Sequence, residues 1–110
     1  MIEITLLYQR NLLVGIESKG HSGYADRGSD VVCAAVSVLM EALMYGLSQI
    51  AKLDSLVCRI NDNIPLMSVR WFRTKSEKIS LLTQTVAESL KAIAADNSSY
   101  VKIHTEEVKL

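Results

Sequence analysis

The stretch that decides the fold is Gly20-His21-Ser22-Gly23-Tyr24-Ala25-Asp26-Arg27-Gly28-Ser29-Asp30-Val31-Val32-Cys33-Ala34-Ala35-Val36-Ser37. Upstream of it apolar and polar residues alternate, the period of a half-buried strand. From Val31 onward the apolar residues recur at helical spacing, so a sheet hands over to a helix here. Three of the chain's five glycines, Gly20, Gly23 and Gly28, fall between the two, in a run that reads as a loop free to make large backbone excursions. Toward its two ends the stretch carries an imidazole, His21, and a thiol, Cys33.

These two groups suit nucleophilic chemistry. The thiolate is the reactive form of cysteine, and its pKa of roughly 8.5 falls at a helix N-terminus or beside an imidazolium. Asp30 reads as the helix N-cap, its carboxylate accepting from backbone N–H groups two or three residues on. That places Cys33 at the third helical position, among unpaired N–H groups and at the positive end of the helix dipole. The N–H groups of Cys33 and Ala34 are then candidate oxyanion donors. His21 is the candidate base, and Asp30 or Asp26 the candidate group that orients it. Ser37, one turn after Cys33 on the same face, is a candidate partner of the substrate backbone or of the histidine. Each residue also has a plainer reading. A helical cysteine before Ala-Ala-Val suits a small buried hydrophobe, a histidine between glycines suits a turn, and a mid-helix serine suits a bond to a carbonyl of its own helix. Tyr24 either packs on a substrate side chain or anchors the loop.

Working outward, a strand over residues 2–8 places Ile2, Ile4, Leu6 and Tyr8 on one face and Glu3, Thr5 and Leu7 on the other. Gln9-Arg10-Asn11 turns the chain into a second strand, over 12–18, in which Leu12, Val14 and Ile16 point one way and Leu13 the other. That strand delivers His21 to the rim of the sheet. Downstream, the helix from 31 to about 50 is apolar on nearly every side near its start, the pattern of a central, buried helix. Strands over 56–61 and 66–72 form a hairpin across Asp62-Asn63-Ile64-Pro65, with Cys58 expected as an inert core thiol. Met67, Val69 and Trp71 face one side of the second strand, and Ser68, Arg70 and Phe72 the other. Arg59, Arg70, Arg73 and Lys75 form a basic patch, either a solvated sheet face or a seat for an acidic or ribosomal partner. Ser76 or Thr74 caps a second helix over 77–95, with Ile79, Leu82, Val86, Leu90 and Ile93 on its apolar side. A last strand over 100–108 carries His104 on its polar side, as a surface residue. The fold class is α+β, a mainly antiparallel sheet in the order ββαββαβ with two helices packed on one face, as a single domain over 1–110.

Composition narrows the function classes. Twelve basic residues balance twelve acidic ones, which argues against tight binding to bare nucleic acid. The two cysteines sit in no disulfide framework and no signal sequence is visible, so both are read as reduced thiols of a cytoplasmic protein. Two histidines and two cysteines without zinc spacing, and no phosphate-binding glycine loop, leave neither metal nor cofactor expected. The apolar run over 31–47 is broken by Ser37 and Glu41 and is short for a membrane span.

Gly20-His21, Gly23-Tyr24, Gly28-Ser29-Asp30 and Val32-Cys33-Ala34-Ala35-Val36-Ser37 together resemble the ribosomal-processing cysteine protease family of bacteria, known as Prp. Chain length and element order agree with it. Ser22 stands where alanine is common in that family, and Val31 and Val38 where isoleucine and alanine are common. No catalytic group is lost by these differences. The resemblance implies a cysteine endopeptidase, a thiol protease and hydrolase of ribosome biogenesis, with Cys33 as nucleophile and His21 as its base. It places Asp30 and Ser37 at the site. The loop carrying Gly20, Ser22, Gly23, Tyr24 and Gly28 would move as substrate enters. It further implies that the substrate is the N-terminal extension of the large-subunit ribosomal protein numbered twenty-seven, and that the enzyme is a homodimer; charge balance and the short apolar run, as above, leave direct nucleic-acid and membrane contacts unexpected. Two readings from other classes stand beside it. One is a non-catalytic ribosome-associated binding module using the basic patch and glycine loop; the other is a thiol hydrolase or acyl transferase acting on small esters or thioesters.

Overall fold

The computed structural model describes residues 1–20, 27–61 and 65–109. Its strands are β1 (Ile2–Gln9), β2 (Leu12–Lys19), β3 (Val57–Asn61), β4 (Leu66–Arg70) and β5 (Val101–Glu107). Its helices are α1 (Arg27–Tyr45), which runs on as a π-helical turn over Gly46–Ile50, and α2 (Glu77–Asp96). This is the expected ββαββαβ order. The strands lie in the order β3-β4-β2-β1-β5. All neighbours are antiparallel except β1 and β5, which run parallel.

Local chemistry explains the element ends. Arg10 and Asn11 both adopt left-handed backbone, with φ of 47° and 69°, and Gln9 pairs with Leu12. That is the two-residue turn whose twist matches a hairpin. The Arg73 guanidinium clamps it, donating from Nε to the Gln9 carbonyl at 3.0 Å and from Nη2 to the Arg10 carbonyl at 3.1 Å. Ser76 is the N-cap of α2, its hydroxyl accepting from the Ile79 N–H at 3.4 Å, while the Thr74 hydroxyl accepts from the Ser76 N–H.

Both helices cover the same face of the sheet. Ile2, Ile4 and Leu6 of β1, Ile16 of β2 and Val69 of β4 share one core with residues of both helices. From α1 come Val36, Met40 and Leu43, and from α2 Ile79, Val86 and Leu90. The alternation in β2 departs from expectation. The β1–β2 register jumps from Leu7↔Gly15 to Tyr8↔Leu13, a bulge at Val14. Leu13 therefore joins Ile16 in the core, and Val14 passes to the other face beside Leu7.

Three further expectations are corrected. First, α1 begins at Arg27, four residues before Val31, which removes Asp30 from the N-cap position. Second, α1 is not buried all round. Val32, Val36, Met40, Leu43 and Leu47 face the core, but Val31, Val38 and Tyr45 are 69%, 61% and 63% exposed. The segment Val31–Ile50 has the length and apolar composition of a membrane-crossing helix, yet its inner side is packed on the sheet and α2. Third, Cys58 is exposed rather than part of the core. It lies on the edge strand β3, which the helices leave uncovered along its whole length.

Candidate active site

Cys33 lies on α1 where the helix passes the end of the sheet. Successive turns from Cys33 bring Ser37 and Glu41 onto the same side, because residues four apart stack on one helix face. All three line a cleft of about 270 Å³, whose opposite wall comes from Ser18 and Gly20 of the β2 end and from Ile60, Asn61 and Leu66 across the β3–β4 hairpin. Cys33 is half-buried there. The cleft therefore holds a thiol, two serine hydroxyls, an amide and a carboxylate against an apolar wall that includes Val36 and Met67.

The longer helix changes the electrostatics expected at the thiol. Cys33 is the seventh residue of α1, not the third. In a regular ladder its N–H and that of Ala34 donate to carbonyls four residues back, so they are not the unpaired donors that an oxyanion hole needs. The dipole effect is also concentrated in the first turn. The helix end therefore gives this thiol little stabilisation as an anion.

Gly20 fixes the rim. Its N–H donates to the Pro65 carbonyl at 2.8 Å, its φ is +84°, and a Cβ there would sit 2.7 Å from the Met1 carbonyl oxygen. Only glycine meets both demands at once. Gly20→Ala is expected to cost about 2 kcal/mol, from left-handed backbone strain with the displacement of Met1 added. Urea denaturation measures this, and a loss under about 0.5 kcal/mol, the range of an ordinary surface substitution, would contradict the assignment.

Cys33, Ser37 and Gly20 line one cleft. His21, Ser22, Gly23 and Tyr24, with Asp26, lie outside the described residues. Gly28 and Asp30 fall within the first residues of α1. Glu41, Asn61 and Ser18 were not anticipated as cleft residues. The four-residue spacing Cys33–Ser37–Glu41 was a readable signal for Glu41; nothing local marks Ser18 or Asn61, which arrive through strand pairing. His104 is a surface residue as expected, 3.2 Å from Glu3 Oε1 across β1 and β5. Among the described residues no group of three or more His, Cys, Asp or Glu could hold a metal ion.

The family model for the cysteine protease Prp matches residues 1–102. The chain belongs to the Prp cysteine protease family. Among solved structures, SMU.848 from Streptococcus mutans is 28% identical with a TM-score of 0.83, covering 98% of this chain and 96% of that one. The essential ribosomal processing protease Prp from S. aureus, in complex with a substrate peptide, is 18% identical with a TM-score of 0.82. The same protease with a covalently linked product peptide is 23% identical with a TM-score of 0.76. Each of these two covers 96% of this chain and 100% of its own. No curated protein sequence matches the chain. The Prp fold is therefore this chain's fold over nearly its whole length.

Proposed function

We propose that this Prp-family protease removes the N-terminal extension of the large-subunit ribosomal protein numbered twenty-seven, using Cys33 as nucleophile and His21 as base. The observation that carries the reading is Cys33 itself, a half-buried thiol opening into a cleft in a chain that the cysteine protease family covers over residues 1–102. It is supported by the S. aureus structural relative, a ribosomal processing protease that binds a substrate peptide.

In this mechanism His21 takes the proton from Cys33 Sγ, and the thiolate attacks the scissile carbonyl carbon. The tetrahedral intermediate collapses as His21 returns the proton to the leaving amine. Water, deprotonated by the same imidazole, then hydrolyses the thioester and frees the thiol. Ser37 offers a hydroxyl to the substrate backbone or to the histidine. Asp30 is retained as a candidate positioning group near the start of α1. The segment with Ser22, Gly23 and Tyr24, between the fixed Gly20 rim and α1, closes over the bound segment; Gly28, expected with it, belongs to the start of α1. The cleft is small and has an apolar wall, so it suits an extended segment presenting an apolar side chain rather than a folded chain.

The test is mass spectrometry of the organism's own extended ribosomal protein after incubation with the wild-type chain, with Cys33→Ala and His21→Ala beside it. A single shortened product from wild type alone supports the reading. Intact substrate in all three, from folded protein with a free thiol, overturns the substrate assignment.

The reading extends to a cytoplasmic homodimer. Val31, Val38 and Tyr45 recur every seven residues along the outer side of α1, with exposed Ala34 and Ala42 between them. Such a stripe suits isologous packing against a second copy. Val38→Asp would bury a charge in that contact and is expected to weaken self-association about 100-fold. Sedimentation equilibrium reads this, and a wild-type monomer at high concentration would refute the dimer.

A further inference from the structure

The basic patch seen in the sequence has a structural counterpart that the protease reading does not use. On the sheet face opposite the helices lies a groove of about 710 Å³, at the far end of the sheet from the Cys33 cleft and sharing no lining residue with it. Its floor is mainly apolar: Leu7 and Val14 are under 10% exposed beside the buried Ser68, and the core residue Trp71 also lines it. The Val14 bulge is what brings an extra aliphatic side chain to this side. At the rim stands Phe72, 79% exposed.

Four arginines, Arg10, Arg59, Arg70 and Arg73, line the groove, and among the described residues no aspartate or glutamate does. In a chain whose charges sum to zero, that is a local excess of four positive charges. Little within the fold neutralises it. Arg73 spends its hydrogen bonds on the Gln9 and Arg10 carbonyls. Arg70 has a single long contact, 3.9 Å to Glu17, with both side chains partly exposed. Among the described residues Arg10 and Arg59 enter no ion pair. Of the carboxylates close by, Glu107 accepts from the Arg10 backbone N–H, while Glu17 and Glu106 line the adjoining pocket that shares Leu7 and Arg70. The groove is lined from β3 across β4, β2 and β1 to Val108 just past β5. Five strands at a spacing of about 4.8 Å make it roughly 19 Å long, the reach of about six extended residues.

We propose that this groove is a second recognition site that docks an extended acidic peptide segment of a partner protein, with apolar side chains on the floor and carboxylates on the arginine rim. The guanidinium fork is matched to carboxylates, and the aliphatic floor gives the apolar anchor that a stable contact needs. The floor favours a peptide over RNA, since Trp71 is only 4% exposed and presents no free face for a base to stack on.

The probe is a fluorescein-labelled octapeptide alternating carboxylate and apolar residues, Glu-Leu-Asp-Phe-Glu-Leu-Asp-Phe, titrated with the full chain and read by anisotropy. Its Gln/Asn counterpart and a labelled twelve-nucleotide oligouridine are titrated in parallel. Saturable binding is expected, at least tenfold weaker for the neutral peptide and for Arg59→Glu, several-fold weaker for Phe72→Ala, and unchanged for Cys33→Ala. Arg59 and Phe72 are exposed, so these variants keep the fold, which circular dichroism verifies. Absence of saturable binding, binding indifferent to Arg59→Glu, or tighter Arg59-dependent binding of the oligouridine would each overturn the proposal. So would loss of self-association in Arg59→Glu, which would make the groove a contact between copies.

Discussion

Cys33→Ala is expected to lower the rate of extension removal by roughly 10⁴- to 10⁶-fold, the range seen when a nucleophile is deleted from a set of groups that act together. The substitution removes one sulfur from a half-buried helical position that lines an open cleft, and alanine is the best helix former. Folding should therefore be nearly untouched, and any loss belongs to chemistry. His21→Ala is expected to fall within about tenfold of the same floor, and the double variant to be no worse than either alone, because a thiol without its base and a base without its thiol fail at the same step. Single-turnover cleavage followed by mass spectrometry measures all three. Additive losses would mean that the two residues work independently, and the pairing of Cys33 with His21 would be wrong.

What the sequence revealed and what it concealed separate along physical lines. Strand β1 and helix α2 were legible because each has one wet side: β1 alternates Ile2, Ile4 and Leu6 with Glu3 and Thr5, and α2 repeats Ile79, Val86 and Leu90 at helical spacing. Other features escaped. The bulge at Val14 was invisible because Leu12, Leu13 and Val14 are all apolar, so no alternation marks which of them faces the helices. Cys58 looked like core because it shares a side with Leu56 and Ile60. Whether that side is covered depends on how far the helices reach, and they stop short of the edge strand. The start of α1 was misplaced because Asp30 is a good cap and the residues before it are glycine-rich. The thiol itself was legible in the sequence. Its cleft was not, because Ser18, Asn61 and Leu66 meet Cys33 only through strand pairing between segments far apart in the chain.

The seating of α1 decides where the thiol stands, and this makes Leu43→Ala the strongest expected effect on stability. Leu43 is fully buried, as are Met40 and Leu47, and it belongs to the core shared by the sheet and α2. Truncation to alanine loses three heavy atoms from a packed interior and leaves a cavity that the sheet cannot collapse to fill. The expected cost is about 3 kcal/mol, or a fall in Tm of roughly 12 °C for a domain of this size. Differential scanning calorimetry and urea denaturation both read it. Leu43 lies ten residues from Cys33 and does not line the cleft, so kcat/KM well below the transition should stay within about threefold of wild type, a barrier change under 1 kcal/mol. A loss of activity at temperatures where the variant is still folded would show that α1 shifts on the sheet when its core side is thinned. A stability loss under about 1 kcal/mol would instead mean that α1 is held by its outer stripe rather than by the sheet.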